Sequence, residues 1–149
     1  MTSSLLMTMY LFIMNTPLAD QKLRYTLILT HSPSLLESNL TAQLLAAEIL
    51  AAGDIIDRIF FYQDACYVGL TTQVPGQGLE ASYIGWVNLY QSHEIPLQIC
   101  IANSLRRGVL DGSEAKRYQN IENLHTDFKL VGLGEMAEAC QSSDRIITL

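Results

Sequence analysis

The sequence predicts an α/β fold built on an open sheet of five parallel strands, with helices on both faces. Short apolar runs alternate along the chain with longer amphipathic runs, which is the pattern of repeated strand–helix–strand units. The run Arg58–Tyr62 (RIFFY) lacks the alternation of a half-exposed strand, which indicates a strand covered on both faces. We therefore expect a doubly wound sheet with the flavodoxin-like strand order 2-1-3-4-5.

The first strand is predicted at Tyr25–Thr30 (YTLILT), a segment rich in residues that favour β-structure. A helix is predicted from about Ser38 to Ala52, and Gly53 supplies its C-terminal stop. Ser34 and Glu37 also have the spacing of a capping box, so its N-terminus is ambiguous. Four apolar residues share one face of this helix: Leu40, Leu44, Ala47 and Ala51.

After strand 2 at Arg58–Tyr62, the pattern predicts a helix at Leu79–Ser92 and a third strand at Leu97–Ala102. The aromatic residues of that helix, Tyr83, Trp86 and Tyr90, have the spacing of a core or interface face. Asn103–Arg107 forms about one helical turn, and Asp111 with Glu114 predicts a second capped helix. The remaining elements are a fourth strand at Phe128–Gly132, a helix at Gly132–Ser143 and a terminal strand at Asp144–Leu149.

The chain has 149 residues, which suits one domain. We assign residues 23–149 to it and treat residues 1–22 as a loosely ordered N-terminal extension. The apolar segment Leu5–Met14 is much shorter than the roughly 20 residues that span a bilayer, so no membrane association is expected.

Charge excludes direct nucleic-acid binding by this chain. The sequence has 9 Lys and Arg against 15 Asp and Glu, a formal net charge of -6, and lacks the basic footprint that binding to phosphate backbones needs. Its 3 cysteines form no CxxC pair, which favours a reducing compartment. The three histidines, His31, His93 and His125, are too dispersed for a metal site, and no metal or cofactor is expected.

Cys100 is the main candidate for chemistry because it lies near the end of predicted strand 3. In the predicted order, strands 1 and 3 are neighbours, and the connections leaving them diverge to open a crevice. A thiol there becomes a nucleophilic thiolate when a guanidinium lies close, and Arg106 or Arg107 could fold back towards it. The position suits a small buried core residue equally well, since free cysteine is among the most buried residue types.

The other candidates carry weaker signals. Cys66 follows strand 2, where an incidental loop cysteine is favoured over a resolving or second carrier thiol. Cys140 lies in the last predicted helix and is expected to pack in the core. His31 follows strand 1 and is interpreted as an ordinary loop residue, with a place in the crevice as the alternative.

Three segments link the chain to a known family: ICIANSLRRGVLD around Cys100, FFYQDACY after strand 2, and LVGLGEMAEACQSSDRIITL at the carboxyl end. Through them the chain from Arg24 to Leu149 resembles the TusD/DsrE family of sulfur-relay sulfurtransferases. The first segment is specific, because a cysteine that ends strand 3 before an LRRG turn is how the family's active site is recognised. The resemblance implies a DsrE-like fold and a persulfide on Cys100.

The resemblance also implies a pathway and partners. Sulfur would pass from a TusA-like donor protein to Cys100 and on to a TusE-like acceptor, towards 2-thiouridine at the tRNA wobble position. The chain would assemble with TusB/TusC-like small subunits in a dimer of heterotrimers in the cytoplasm, without a cofactor. In the DsrE-like branch, the same chemistry serves sulfur oxidation.

Two other functions remain open from the sequence. One is a non-catalytic assembly subunit in which Cys100 is structural. The other is a small-ligand binder, for instance of flavin phosphate, at the same crevice. The loop SPSLLESN is a poor phosphate cradle, because such loops are usually rich in Gly, Ser or Thr and lead into a helix N-terminus.

Overall fold

Five parallel strands form one sheet, against which the helices pack. The computed structural model describes residues 22–149. The strands are β1 (Arg24–Leu29), β2 (Ile55–Phe61), β3 (Leu97–Cys100), β4 (Phe128–Val131) and β5 (Arg145–Thr148). The helices are α1 (Leu36–Ala51), α2 (Ile84–His93), α3 (Ile101–Arg106), α4 (Gly112–Arg117) and α5 (Leu133–Ser142), with a 3-10 helix at Gln63–Gly69. The predicted α/β class with a five-stranded parallel sheet is confirmed.

The strand order corrects the predicted 2-1-3-4-5, because the observed order is β4-β3-β2-β1-β5. β2 pairs with both β1 and β3 and occupies the centre of the sheet. Its residues Ile59, Phe60 and Phe61 are all 0% exposed. Three successive buried residues need cover from both faces and from both flanking strands, which an edge strand lacks. The run that indicated coverage on both faces therefore also fits a central strand.

The order of the strands explains how the helices divide between the two faces. The chain moves one strand along the sheet at each step from β1 to β4, and it then returns past β1 to form β5. Because parallel crossovers are right-handed, reversing the direction of travel places the last crossover helix, α5, on the opposite face from α1 and α2. α5 packs on β1 and β2, while Trp86 of α2 contacts Phe61 edge-to-face at 5.5 Å between ring centroids.

Helix α1 turns a different face to the core from the predicted one. Leu40 and Leu44 of the predicted face are 46% and 67% exposed, and Ala47 and Ala51 are exposed too. The buried residues are Asn39, Ala42, Ala46 and Ile49. Small alanine side chains let the helix backbone approach the sheet closely, so packing selects this stripe over the bulkier leucine stripe.

Three element boundaries refine the expectations. β3 ends at Cys100 and α3 begins directly at Ile101, so the predicted strand was two residues too long. α2 begins at Ile84, because the side chain of Gln73 accepts hydrogen bonds from Ser82 N and Oγ and holds the preceding segment as a turn. Asp111 caps α4 as predicted, since its Oδ1 accepts from the backbone N of Glu114 at 2.9 Å.

The aromatic face of α2 is partly core. Trp86 is 0% exposed, as the spacing predicted, while Tyr90 is 37% exposed. Tyr83, which directly precedes α2, is half-buried and lies against the His125 ring at 5.0 Å between centroids.

The predicted loosely ordered extension, residues 1–22, lies outside the described residues except for Lys22. Among residues 22–149, the helices are too short or too polar to cross a lipid bilayer.

Candidate functional site

The candidate site lies where β2 and β3 end side by side. Phe61, the last residue of β2, pairs with Ile99 of β3, and Cys100 follows as the last residue of that strand. The 3-10 helix continues from β2, and α3 continues from β3. Both connections therefore begin at the C-terminal ends of the strands. The predicted crevice between strands 1 and 3 does not form, because β2 lies between them.

Cys100 is fully buried at the C-terminal end of β3, with 0% of the residue exposed. It pairs with Val131 of β4 on one side, and Ile101 starts α3 immediately after it. Its Sγ accepts a hydrogen bond from Nδ2 of Asn103 at 3.0 Å. The thiol is thus withdrawn from solvent in the single chain but is in contact with a polar donor.

A chain of polar contacts connects the thiol to the surface. The Arg107 guanidinium donates through Nη1 to the backbone O and Oδ1 of Asn103, at 3.2 and 3.3 Å. Through Nε and Nη2 it donates to Oδ1 of Asp64, at 2.9 and 2.7 Å. The side chains of Arg107 and Asp64 are 22% and 57% exposed. We refer to Asp64, Arg107 and Asn103 as the polar relay, since they lead from solvent to Cys100.

The polar relay decides between the two arginines that the sequence left open. Arg107 reaches Asn103 and Asp64, whereas Arg106 is exposed. The bond and charge of Asp64 raise the pKa of Arg107, so its guanidinium stays charged at any physiological pH. A fixed positive charge therefore lies two contacts away from the Cys100 thiol.

The environment of Cys66 differs from the predicted one, an incidental cysteine in a loop. It lies in the 3-10 helix, is 0% exposed, and places its Sγ 3.7 Å from the carbonyl O of Phe61 and 3.9 Å from that of Cys100. Burial, with a smaller contribution from the nearby Cys100 thiol, raises the pKa of Cys66 to about 11. Cys66 is therefore protonated at neutral pH. It lies in the core next to the candidate site because the 3-10 helix folds the segment after β2 back over the strand ends.

The other predicted candidates lie apart from Cys100. Cys140 is exposed, so the expectation of core packing was wrong; α5 packs through its neighbour Ala139, which is 0% exposed. His31 is exposed and borders a cavity of about 10 Å³ together with Leu29 and Phe61. Residues 22–149 contain no group of three or more His, Cys, Asp or Glu side chains arranged to hold a metal ion.

Sequence reasoning missed Asn103 and Asp64. Asn103 had a readable signal, because a residue three positions after the start of a helical turn lies above that start and can reach back to it. Asp64 had none, since its contact with Arg107 joins residues 43 positions apart and depends on β2 and β3 being neighbours.

The comparisons with known proteins agree on one family. The model of the DsrE/DsrF-like family matches residues 24–149. A protein named sulfurtransferase TusD homolog from Vibrio cholerae is 36% identical over 126 residues, which are 84% of this chain and 96% of that protein. A sulfurtransferase TusD from Erwinia tasmaniensis is 36% identical over 108 residues, covering 72% of this chain and 84% of that protein.

A solved structure supports the fold independently. The crystal structure of the ychN protein from E. coli superposes with a TM-score of 0.60 and covers 87% of this chain and 100% of that chain. The two sequences are 21% identical, so this likeness concerns the fold alone.

Proposed function

Because the chain belongs to the DsrE/DsrF-like family, we propose that it is a sulfurtransferase subunit that holds sulfur as a persulfide on Cys100. The relatives named TusD support sulfur transfer as the activity, since they align along most of their length. The observation that carries the choice of residue is the hydrogen bond from Asn103 to the Cys100 Sγ. An N–H aimed at the sulfur can donate a hydrogen bond to a thiolate, and the thiolate is the nucleophilic form of cysteine.

The reaction needs two exchanges of the same kind. The Cys100 thiolate attacks the outer sulfur of a donor protein's persulfide; a new S–S bond forms on Cys100, the donor's S–S bond breaks, and the donor leaves as a thiolate. The outer sulfur keeps its proton as it moves to Cys100. An acceptor thiolate then attacks that outer sulfur and releases Cys100 as a thiolate. Electrons balance without an added oxidant or reductant, and no cofactor takes part.

Burial of Cys100 suits a persulfide that must survive between encounters. A persulfide is readily lost to stray thiols and oxidants, and a thiol with 0% exposure is shielded from both. Transfer then requires the residues above the sulfur to move when a partner docks. Asn103, which contacts the sulfur and is partly exposed, is one of these residues, and Arg107 and Asp64 connect it to the surface.

The finer assignment follows the same proposal. We propose that the donor is TusA-like, the acceptor TusE-like, and the companion subunits TusB/TusC-like in a dimer of heterotrimers in the cytoplasm. The sulfur would serve 2-thiouridine formation at the tRNA wobble position, with sulfur oxidation as the alternative destination. The acidic balance of the chain fits transfer between proteins and leaves contact with tRNA to a later enzyme.

Intact-mass measurement tests the proposal directly. The protein is incubated with a cysteine desulfurase, its persulfide-accepting carrier protein and cysteine, and we expect a gain of one sulfur atom that dithiothreitol removes. The gain should persist in Cys140→Ser, the matched exposed control, and in Cys66→Ser. It should disappear in Cys100→Ser, with circular dichroism to verify that each variant is folded. Undiminished loading of Cys100→Ser would contradict the proposal.

A second candidate function is a non-catalytic assembly subunit in which Cys100 is a structural residue. The complete burial of Cys100 favours it, since structural cysteines are buried and inert. The same experiment separates the two functions: a folded wild-type protein that gains no sulfur, alone or with the companion subunits, supports the assembly role.

A further inference from the structure

We propose that the polar relay of Asp64, Arg107 and Asn103 positions the Cys100 thiol and controls its exposure, with Asn103 orienting the sulfur and the Arg107–Asp64 ion pair acting as the closing contact. This inference rests on the proposed function for its biological purpose, although its test measures the thiol itself. The three are positioning residues, since Asn103 acts on the sulfur and the other two act through Asn103.

Asn103 has the geometry to orient the sulfur. Its Nδ2 lies 3.0 Å from Sγ, while its Oδ1 and backbone O both accept from Arg107. The amide is therefore held on its acceptor side by a cation and presents its donor side to the thiol. An amide held in this way offers the sulfur an N–H and not a competing oxygen.

The contact between Arg107 and Asp64 is the one that can open. Arg107 sits immediately after α3, whose six residues leave it attached to a short helix, and its side chain is 22% exposed. Its partner Asp64 lies on the 3-10 helix and is 57% exposed. An ion pair with one well-hydrated partner is weak, so a docking protein that offers its own carboxylate to Arg107 can replace Asp64 at little cost.

The ionisable groups next to the site come from two elements. The 3-10 helix contributes Cys66, whose Sγ lies 3.9 Å from the Cys100 carbonyl O, and Asp64, which reaches Asn103 through Arg107 after α3. On the side of β4, the residue paired with Cys100 is the apolar Val131. A charge placed at position 103 would act on the thiol through a direct contact.

The test follows the rate of iodoacetamide alkylation of Cys100 against pH, in a Cys140→Ser background and with peptide mapping to identify the modified cysteine. On the high-pH plateau of the profile, where the loss of a nearby positive charge no longer changes the ionised fraction, Arg107→Ala should react about fivefold faster than the parent protein, the factor that corresponds to losing an ion pair of about 1 kcal/mol. Asp64→Asn should move the rate in the same direction. Arg106→Ala, the matched neighbour that lies outside the polar relay, should leave the rate unchanged.

Asn103→Asp tests whether the side chain at position 103 faces the sulfur. It preserves the shape of the side chain and the oxygen that accepts from Arg107, but it replaces the donor facing the sulfur with a charged acceptor. A carboxylate beside a thiolate disfavours ionisation, so the midpoint of the alkylation profile should rise by about one pH unit or more. A side chain at position 103 that did not face the sulfur would leave the midpoint in place.

Two results would overturn the inference: equal rates for Arg107→Ala and Arg106→Ala, or an unchanged midpoint in Asn103→Asp. If either occurs while Cys100 still takes up sulfur, the inference fails and the proposed function stands. If the rates and the midpoint shift as expected but Cys100 never takes up sulfur, the proposed function fails and control of the thiol stands. Should Arg107→Ala unfold, Asp64→Asn decides the closing role, because it alters an exposed carboxylate only.

Discussion

Raising the pH should destabilise the protein through Cys66. This thiol is 0% exposed and packs against the carbonyl groups of Phe61 and Cys100. Burial penalises its charged form and the neighbouring Cys100 thiol adds to the effect, so its pKa rises from an ordinary value of 9.0 to about 11. The folded state therefore keeps a proton that the unfolded state releases at lower pH.

The sign and size of the effect follow from these two values. The contribution of Cys66 to stability is complete below pH 9.0, the unfolded value, and is lost as the pH rises towards about 11, the folded value. Between pH ~8 and pH ~10 the unfolded thiol ionises and the folded one does not, which lowers the free energy of unfolding by about 1.3 kcal/mol.

Urea unfolding at these two pH values measures the loss. Cys66→Ala removes the titrating group, so its free energy of unfolding should fall by about 1.3 kcal/mol less than that of the wild type over the same interval. Cys140→Ser, which alters the exposed cysteine, should follow the wild type. Comparing the change between the two pH values within each protein cancels any fixed cost of the substitutions. Equal falls in the wild type and Cys66→Ala would refute the burial of a protonated thiol at this position.

Two further changes test a buried hydrogen bond and the ion pairs of Asp57 in β2. Asn39→Ala should lower the free energy of unfolding by about 1–3 kcal/mol in urea titration, because the buried Trp86 Nε1, which donates to Asn39 Oδ1 at 2.9 Å, loses its acceptor; a loss no larger than that of the half-buried Gln43→Ala would contradict this. Asp57 is partly desolvated, but Arg24 and Arg58 outweigh that effect and lower its pKa below 3.8. Its stabilising contribution is therefore present above pH 3.8 and lost as the pH falls through the lowered value, so acid unfolding followed by circular dichroism should be less steep in Asp57→Asn than in the wild type or in Asp127→Asn.

The elements could be predicted from the sequence more completely than the faces they present. Periodicity identifies α1, but both the stripe of Leu40 and Leu44 and the stripe of Ala42 and Ala46 are apolar, and a helical pattern alone does not rank them. The alanine stripe is buried because it allows a closer approach to the sheet. In α5 the error is one residue: Ala139 is 0% exposed, and Cys140, about 100° further round the helix, is exposed.

Of the candidate site, the sequence pointed to one residue, Cys100: its place at the end of a strand before a helical turn is a short-range feature, and the role assigned to it follows from the family resemblance. Burial of Cys100 was one of the two alternatives left open, but its hydrogen bond to Asn103 depends on how α3 starts, which a boundary error of two residues concealed. Asp64 was beyond reach, since no spacing in the chain connects it to Arg107.

The strand order is what brings the polar relay together. In the predicted order 2-1-3-4-5, β1 would separate β2 from β3, and the ends of those two strands would lie about 10 Å apart, twice the spacing of neighbouring strands. Asp64, three residues after β2, would then start a full strand further from Arg107 than it does. In the observed order β2 and β3 are direct neighbours, and the carboxylate and guanidinium meet at 2.7 Å. The central position of β2 therefore accounts both for the burial of Phe60 and Phe61 and for the contact between Asp64 and Arg107.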